Sequence, residues 1–319
     1  ILGPAEQLAQ VFHGIADDGP ARGNRTISIH PAGGLQIRVL PDRGLDIGAA
    51  WFAGSPVAWL SPVGETAWSE GDNWLAGWAG GLLTTCGLRN VGVPSGGHPM
   101  HGSATGLRAS GVHVTRSVEH DGSIAVTVAG TMIDASAFGP VLRLERTITV
   151  HTGRSDIVIV DDTSNLGQRA EQSPILYHVN FGYPFLGPSS FVDGRIMWSE
   201  PRDPDSARVG QDWAMMGPPL LDDEDVVVEH GVAEGSDGWR TLRVVSPESG
   251  QQASVAWDAA TLPRVHTWRR ATRGSYAMAV EPANCSVLGR EHDRAAGTAP
   301  WLEPGQRRRT RLRIEFSTL

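Results

Sequence analysis

Residues 142–150 read LRLERTITV, with apolar and polar side chains alternating along the run. A period of two sends successive side chains to opposite faces of an extended strand, one dry and one wet. RTRLRIEF (309–316), near the end of the chain, repeats the pattern. Between them SDIVIVDDTSN (155–165), RTLRVVS (240–246) and ASVAWD (253–258) also read as strands. PESGQQ joins the last two as a hairpin-like turn containing Gly. Upstream, LQIRVL (35–40), VHVTRSV (112–118) and IAVTVAG (124–130) continue the theme, with EHDGS linking the latter pair. Only NWLAGWAGGLL (73–83) and the first dozen residues suggest helix. The acidic segment DDEDVVVE (222–229) reads as a solvated loop leading into a strand. No repeat or low-complexity linker interrupts the chain. The expected fold is all-β: a large antiparallel two-sheet β-sandwich forming a single domain over residues 1–319.

Composition narrows the function. A chain of 319 residues buries a large core, and 39 Gly with 21 Pro suit many strands joined by turns. A net charge of −8 lacks the basic face that nucleic acid requires. There is no apolar run of about 18 residues and no secretory h-region. The expectation is therefore a cytoplasmic protein with neither a membrane nor a nucleic acid as partner. Cys86 and Cys285 lie far apart in sequence and read as reduced thiols. All 27 basic residues are arginine, so Schiff-base, pyridoxal-phosphate and Walker-type chemistry, which need an ε-amine, are excluded.

Three stretches place ionisable groups where strand meets turn. GHPMHGSATG (97–106) carries His98 and His101 in a loop too rich in Gly and Pro for regular structure. Zinc ligation, acid–base work and plain loop polarity all fit that pair. PILYHVNFGYPFLG (174–187) carries His178 among aromatics. Period two puts Leu176, His178 and Asn180 on one face, and Tyr177 and Val179 on the other. A lone His among aromatics is commonly a hydrogen-bonded core residue, but Asn180 makes its face polar where a core would be apolar, as in a concave ligand site. SYAMAVEPANCSVLG (275–289) carries Glu281, expected to end an apolar strand before Pro282 breaks the ladder. Desolvation there would raise its pKa into the range of a base working near neutrality; a salt bridge to an arginine is the competing role.

These stretches, in this order, resemble the galactose mutarotase-like superfamily, the aldose 1-epimerases, and within it the bacterial branch DUF4432. The resemblance runs from about residue 35 to the end of the chain. DRGLDIGAAWFAGSPVAWLSP (42–62) points to that branch, and WLEPGQRRRTRLRIEF (301–316) resembles the usual closing turn and strand. It implies that His101, in His101-Gly102, binds the sugar, that His178 is the general acid, and that Glu281, in Glu281-Pro282, is the base. It also implies that Arg89 in TTCGLRNVG contacts sugar hydroxyls. The family's further sugar-binding Asp has no motif here; Asp203, Asp205, Asp212, Asp222, Asp223 and Asp225 are all candidates. Arg43, between Asp42 and Asp46, fits a structural ion-pair cluster or a ligand contact. Trp268, expected on a strand beside that of Glu281, is a candidate stacking platform for a sugar face, or a core tryptophan.

The reaction so implied opens a sugar hemiacetal. Glu281 would take the anomeric hydroxyl proton while His178, as imidazolium, protonates the ring oxygen; rotation and reclosure give the other anomer. No cofactor or metal is needed, and the partner is a small-molecule sugar. Three other readings use the same residues. One is a metal-assisted isomerase with His98, His101, His178 and Glu281 around a divalent ion. Another is an isomerase or epimerase in which Glu281 abstracts a carbon-bound proton. The third is a non-catalytic carbohydrate-binding protein.

Overall fold

The computed structural model describes residues 4–68, 73–222 and 225–319. The runs read as strands are strands, and two large antiparallel sheets face one another. The smaller has eight strands, in the order Phe191–Gly194, Trp239–Ser246, Gln251–Asp258, Arg307–Thr318, Asp156–Asn165, Val141–His151, Ile124–Ala135 and Ser110–Val118. The larger has eleven, and toward one edge it runs Asp46–Phe52, Leu83–Gly87, Ile175–Gly182, Ser275–Ala283, Arg264–Thr272, Val226–Val232 and, at that edge, Ile196–Pro201. The fold is thus the expected all-β sandwich.

Alternation decides which sheet face is which. Val141–His151 buries every second residue, and Leu142, Leu144, Ile148 and Val150 enter the core between the sheets. Tyr177, Val179, Phe181, Met278 and Val280 enter the same core from the larger sheet. The other face of that sheet is not left to solvent. Ile175–Gly182 is buried at all eight positions, because loops and a tryptophan cluster cover its second face. A strand buried on both faces of a sandwich has one face in the core and one in a pocket.

Three expectations need correction. The N-terminal helix shrinks to Ala5–Leu8, followed by a strand over Ala9–Ile15; residues 1–3 lie outside the described residues. The helix within 73–83 is only Trp74–Gly77, started by the Asn73 side chain accepting from the Ala76 amide. Glu281 does not end its strand. Pairing with the Arg264–Thr272 strand continues unbroken through His266↔Glu281 and Val265↔Pro282. On the other side, toward Ile175–Gly182, the ladder skips from Val179↔Val280 to Leu176↔Ala283. Proline has no amide hydrogen, so it breaks one ladder and leaves the other. His178 and Glu281 face each other across that gap.

One residue of the 142–150 strand departs from its pattern. Arg146 stands at an inward position and is fully buried. Its guanidinium donates to Asp161 at 2.8 and 2.6 Å, to Asp46 at 2.7 Å, to the Thr85 hydroxyl at 2.8 Å and to the Gly44 carbonyl at 3.2 Å. The Tyr177 hydroxyl donates to Asp161 at 2.7 Å, so both sheets meet in this cluster. Burial opposes the charge on Arg146, yet Asp161 and Asp46 hold its pKa above the ordinary arginine value. Removing one partner of such a buried set strands the rest without compensation, at about 3–5 kcal/mol. Arg146→Ala is expected to lower the unfolding free energy from denaturant titration by that amount, and Arg146→Ala with Asp46→Asn and Asp161→Asn to recover part of it. An additive loss in the triple variant would refute the coupling.

Candidate active site

The pocket face of the larger sheet carries the site. His178 Nε2 lies 3.1 Å from Glu281 Oε1, and both side chains are about 95% or more buried. The His178 ring is boxed by Trp78 at 5.1 Å, Trp268 at 5.5 Å and His101 at 6.2 Å between centroids, each near perpendicular. Trp74 packs on His101 at 4.8 Å. With Met100, Val227 and Val287 these residues enclose a cavity of about 110 Å³, which Arg202 and Asp225 also line. A larger groove of about 870 Å³ lies beside Tyr183, Pro184 and Tyr276. Trp59 borders that groove and packs at a tilt against Trp78 and Trp268, at 4.8 and 5.9 Å between centroids, so the two cavities share a tryptophan wall. Only the smaller one holds an imidazole beside a carboxyl group.

The local sequence explains how His101 gets there. His101 adopts a left-handed conformation with φ 54°, and Gly102 follows at φ 69°. The Gly87 amide donates to the His101 carbonyl at 2.9 Å and the Ser103 amide to the Gly87 carbonyl at 2.9 Å. A Cβ on residue 102 would sit 2.3 Å from the Gly87 oxygen, so only glycine fits after this histidine. The Gly92 amide donates to His101 Nδ1 at 3.4 Å. That fixes the tautomer with its hydrogen on Nε2, free to donate into the cavity.

The electrostatics differ from the sequence expectation of imidazolium and carboxylate. Burial pushes Glu281 up to about 8, against the opposing Arg202 guanidinium and with Asp225 adding to the rise. Burial lowers His178 to about 3, with His101 adding to the effect. His101 falls to about 4, from burial and then Arg202. Both shifts favour the neutral forms, a carboxylic acid beside an imidazole, a state in which the pair shares one titratable proton.

The predicted residues divide into two groups. His101, His178, Trp268 and Glu281 converge on the cavity. Asn180 shares the face of His178, but its amide donates to the Gly81 and His178 carbonyls, at 2.8 and 3.0 Å, and it lines no part of the cavity. Arg89 is engaged elsewhere, with Asp134 at 2.8 Å and the Ser136 hydroxyl at 3.0 Å. Arg43 pairs with neither neighbouring aspartate. It donates to the Thr66 and Gly77 carbonyls, at 2.9 and 2.6 Å, and holds the turn that bears Trp74 and Trp78. His98 bonds the Arg290 guanidinium at 3.0 Å, apart from the cavity. Among the described residues, no three His, Cys, Asp or Glu side chains converge as a metal-ligand set. Of the candidate aspartates that are described, Asp225 alone lines the cavity; Asp223 lies outside the described residues. Sequence reasoning missed Arg202, Trp74 and Trp78 altogether. The two tryptophans carried a signal, since a spacing of four puts them on one side of a helical turn, but nothing marks Arg202.

A family model described as a domain of unknown function, DUF4432, matches residues 21–316. No curated protein matches the chain. Among solved structures, the chain is similar to a Klebsiella pneumoniae protein provisionally named an aldose 1-epimerase, with 21% identity and a TM-score of 0.88 over 96% of this chain and 83% of that one. A galactose mutarotase-like protein from Clostridium acetobutylicum has 12% identity and a TM-score of 0.66, covering 98% of this chain and all of that one. A galactose 1-epimerase from Lactobacillus acidophilus has 12% identity and a TM-score of 0.61, covering 97% of this chain and 99% of that one. At these identities the likeness establishes a galactose mutarotase-like fold.

Two outcomes follow from the site's geometry. Glu281 binds its proton in the folded protein at a pH where the unfolded chain has released it, so stability falls as pH rises from about 4.5 to about 8. Glu281→Gln removes that dependence, and its gain in thermal midpoint over wild type should be larger at pH 8 than at pH 5; an equal gain at both would refute the burial effect. Gly102→Ala should cost about 2–3 kcal/mol in chemical denaturation, from backbone strain and the clash with Gly87.

Proposed function

The chain belongs to the DUF4432 family, and we propose that it is an aldose 1-epimerase-like enzyme, interconverting the anomers of a free or modified aldose through Glu281 and His178. The observation that carries this reading is the 3.1 Å approach of His178 Nε2 to Glu281 Oε1 inside a buried, tryptophan-lined cavity. Hemiacetal opening must take a proton from the anomeric hydroxyl and give one to the ring oxygen, and doing both together avoids a free alkoxide or oxonium ion. A pair holding one proton does this with no net gain or loss. In the resting form Glu281 supplies the proton and His178 receives one. Reclosure reverses the transfers and restores the pair, whichever face of the carbonyl is attacked.

The rest of the cavity suits a sugar ring. His101 Nε2 and the buried Trp74 Nε1, which has no partner among the described residues, are hydrogen-bond donors for hydroxyl or ring oxygens. Arg202 adds a cationic donor, and Asp225 an acceptor. Trp268 offers an apolar face to sugar C–H groups. We place the reaction on a small-molecule sugar without a cofactor.

Proton exchange NMR on a panel of aldoses and uronates tests the assignment. Wild type should accelerate exchange between α and β anomeric signals, and Glu281→Gln should lose at least about 100-fold, the contribution of one acid–base group. Deuterium entering a carbon position, with anomer exchange at the buffer rate, would instead identify an isomerase. The rate should be bell-shaped in pH, falling as pH rises through about 8, where the pair loses its only proton, and as it drops toward about 3, where a second is added. An alkaline fall centred on the ordinary imidazole value of 6.5 would contradict this protonation scheme.

A further inference from the structure

Arg43 lines no part of the cavity, yet its contacts reach the two elements that carry the cavity's Trp74 and His101 donors. The flanking aspartates are engaged elsewhere. Asp42 accepts from Arg25 and Arg108, and Asp46 from Arg146 and the Thr85 hydroxyl. The Arg43 guanidinium, on a residue only 3% exposed, turns to backbone instead. Nη1 donates to the Thr66 carbonyl at 2.9 Å and Nη2 to the Gly77 carbonyl at 2.6 Å. One planar group therefore ties Thr66 to the turn Trp74–Gly77.

The same guanidinium has an aromatic contact. Its Cζ lies 5.3 Å from the centroid of the Trp68 ring, within cation–π range. That ring occupies space left by two glycines. A Cβ on residue 77 would lie 2.8 Å from Trp68 Cζ3, and a Cβ on residue 106 would lie 2.4 Å from Trp68 Nε1. Gly77 ends the turn that begins with Trp74, and Gly106 ends the short turn Ala104–Gly106 that follows His101. The turn bearing Arg43 touches the same loop directly, where the Gly44 amide donates to the Leu107 carbonyl at 2.8 Å. Arg43 and Trp68 thus join the Trp74 turn to the His101 loop.

Beyond that joint, Trp74 packs on His101 at 4.8 Å between centroids, and both rings line the cavity. Each offers an N–H there, His101 from Nε2 and Trp74 from the buried Nε1 that has no partner among the described residues. Two donors on separate segments meet neighbouring sugar oxygens together only if their spacing is held, because hydrogen bonds weaken steeply with distance and angle. A guanidinium suits the task where an ammonium does not. Its fork sends two N–H groups in set directions while its face lies on an aromatic ring.

We propose that Arg43 is a positioning residue for sugar binding. Through the Gly77 carbonyl and the Trp68 ring it sets the spacing of the Trp74 and His101 donors, and it touches no sugar itself. The proposal rests on the reading of the cavity as a sugar site, but its first readout needs no sugar.

The free protein, labelled with ¹⁵N at tryptophan and histidine, is compared by NMR with Arg43→Gln and Arg43→Lys, and single Trp→Phe and His→Gln variants assign the signals. In both Arg43 variants the Trp74 indole and His101 ring signals should shift. Those of Trp257, in the core, and Trp239, on the smaller sheet, should stay in place. Arg43→Lys keeps the charge and one donor group, and is the variant to read should Arg43→Gln not fold. With an aldose that wild type turns over, it should raise KM about tenfold, the loss of one hydrogen bond, with a smaller fall in kcat. Unmoved Trp74 and His101 signals overturn the proposal, and so do moved signals with an unchanged KM. A shift that spreads to Trp257 and Trp239 marks a general loss of packing and also overturns it. If the local shift is found but no aldose is turned over, the enzymatic reading fails and the positioning of the two donors stands. Anomer exchange with unmoved signals refutes the positioning role and leaves the enzymatic reading standing.

Discussion

The buried Arg146 guanidinium is the constraint on which the rest of the structure depends. It reaches across the core from the smaller sheet to Asp46 and Thr85 of the larger, and through Asp161 it holds the Tyr177 hydroxyl. Tyr177 and Thr85 face inward, so their sequence neighbours His178 and Thr84 face the pocket, where the two stand opposite one another. Strand alternation thus converts a fixed point in the core into a fixed position for the imidazole on the other face. Apolar packing alone fixes the separation of two sheets but tolerates sliding. A guanidinium donating in set directions to two carboxylates does not, because each misplaced oxygen becomes a buried unpaired charge. This places the buried charge cluster directly behind the pocket face.

The pocket face works by the opposite rule. Its polar groups are under-satisfied: Glu281 Oε1, His178 Nδ1, Trp74 Nε1 and both nitrogens of His266 have no hydrogen-bond partner among the described residues. A core built this way would be unstable. Here the tryptophans around the cavity supply apolar contact that offsets part of that cost. Burial is also what drives Glu281 and His178 toward their neutral forms, so the same burial that costs stability favours the state that the proposed reaction uses.

The sandwich was legible because alternation survives averaging over many strands, as in 142–150 and 309–316. The site was legible only in part. His101-Gly102 and Glu281-Pro282 are readable because each glycine or proline has a backbone reason, the close approach to Gly87 in one case and the broken ladder in the other. Arg89 and Asn180 sit close to the site in sequence or on its strand, yet one is drawn off by Asp134 and the other by backbone carbonyls. No sequence pattern encodes such competition. Arg202 enters the cavity from the bend just after an edge strand, Ile196–Pro201, with no motif around it, so only the fold reveals it.

That burial pushes Glu281 up and His178 down, against the expected carboxylate and imidazolium, alters the proposed mechanism less than it first suggests. Reading Glu281 as base and His178 as acid assigns the charged forms to two groups that the fold has removed from water. Reading them as acid and neutral base assigns the same single proton differently. Hemiacetal opening and closing are each other's reverse, so a pair with one proton serves in either arrangement, provided the proton crosses a short gap. What the structure must supply is the count, one proton across two groups near neutral pH, and the proximity. The deep burial of both groups favours the first by disfavouring the doubly protonated cation and the deprotonated anion alike. The broken ladder at Pro282, with His178 and Glu281 facing across it, accounts for the second.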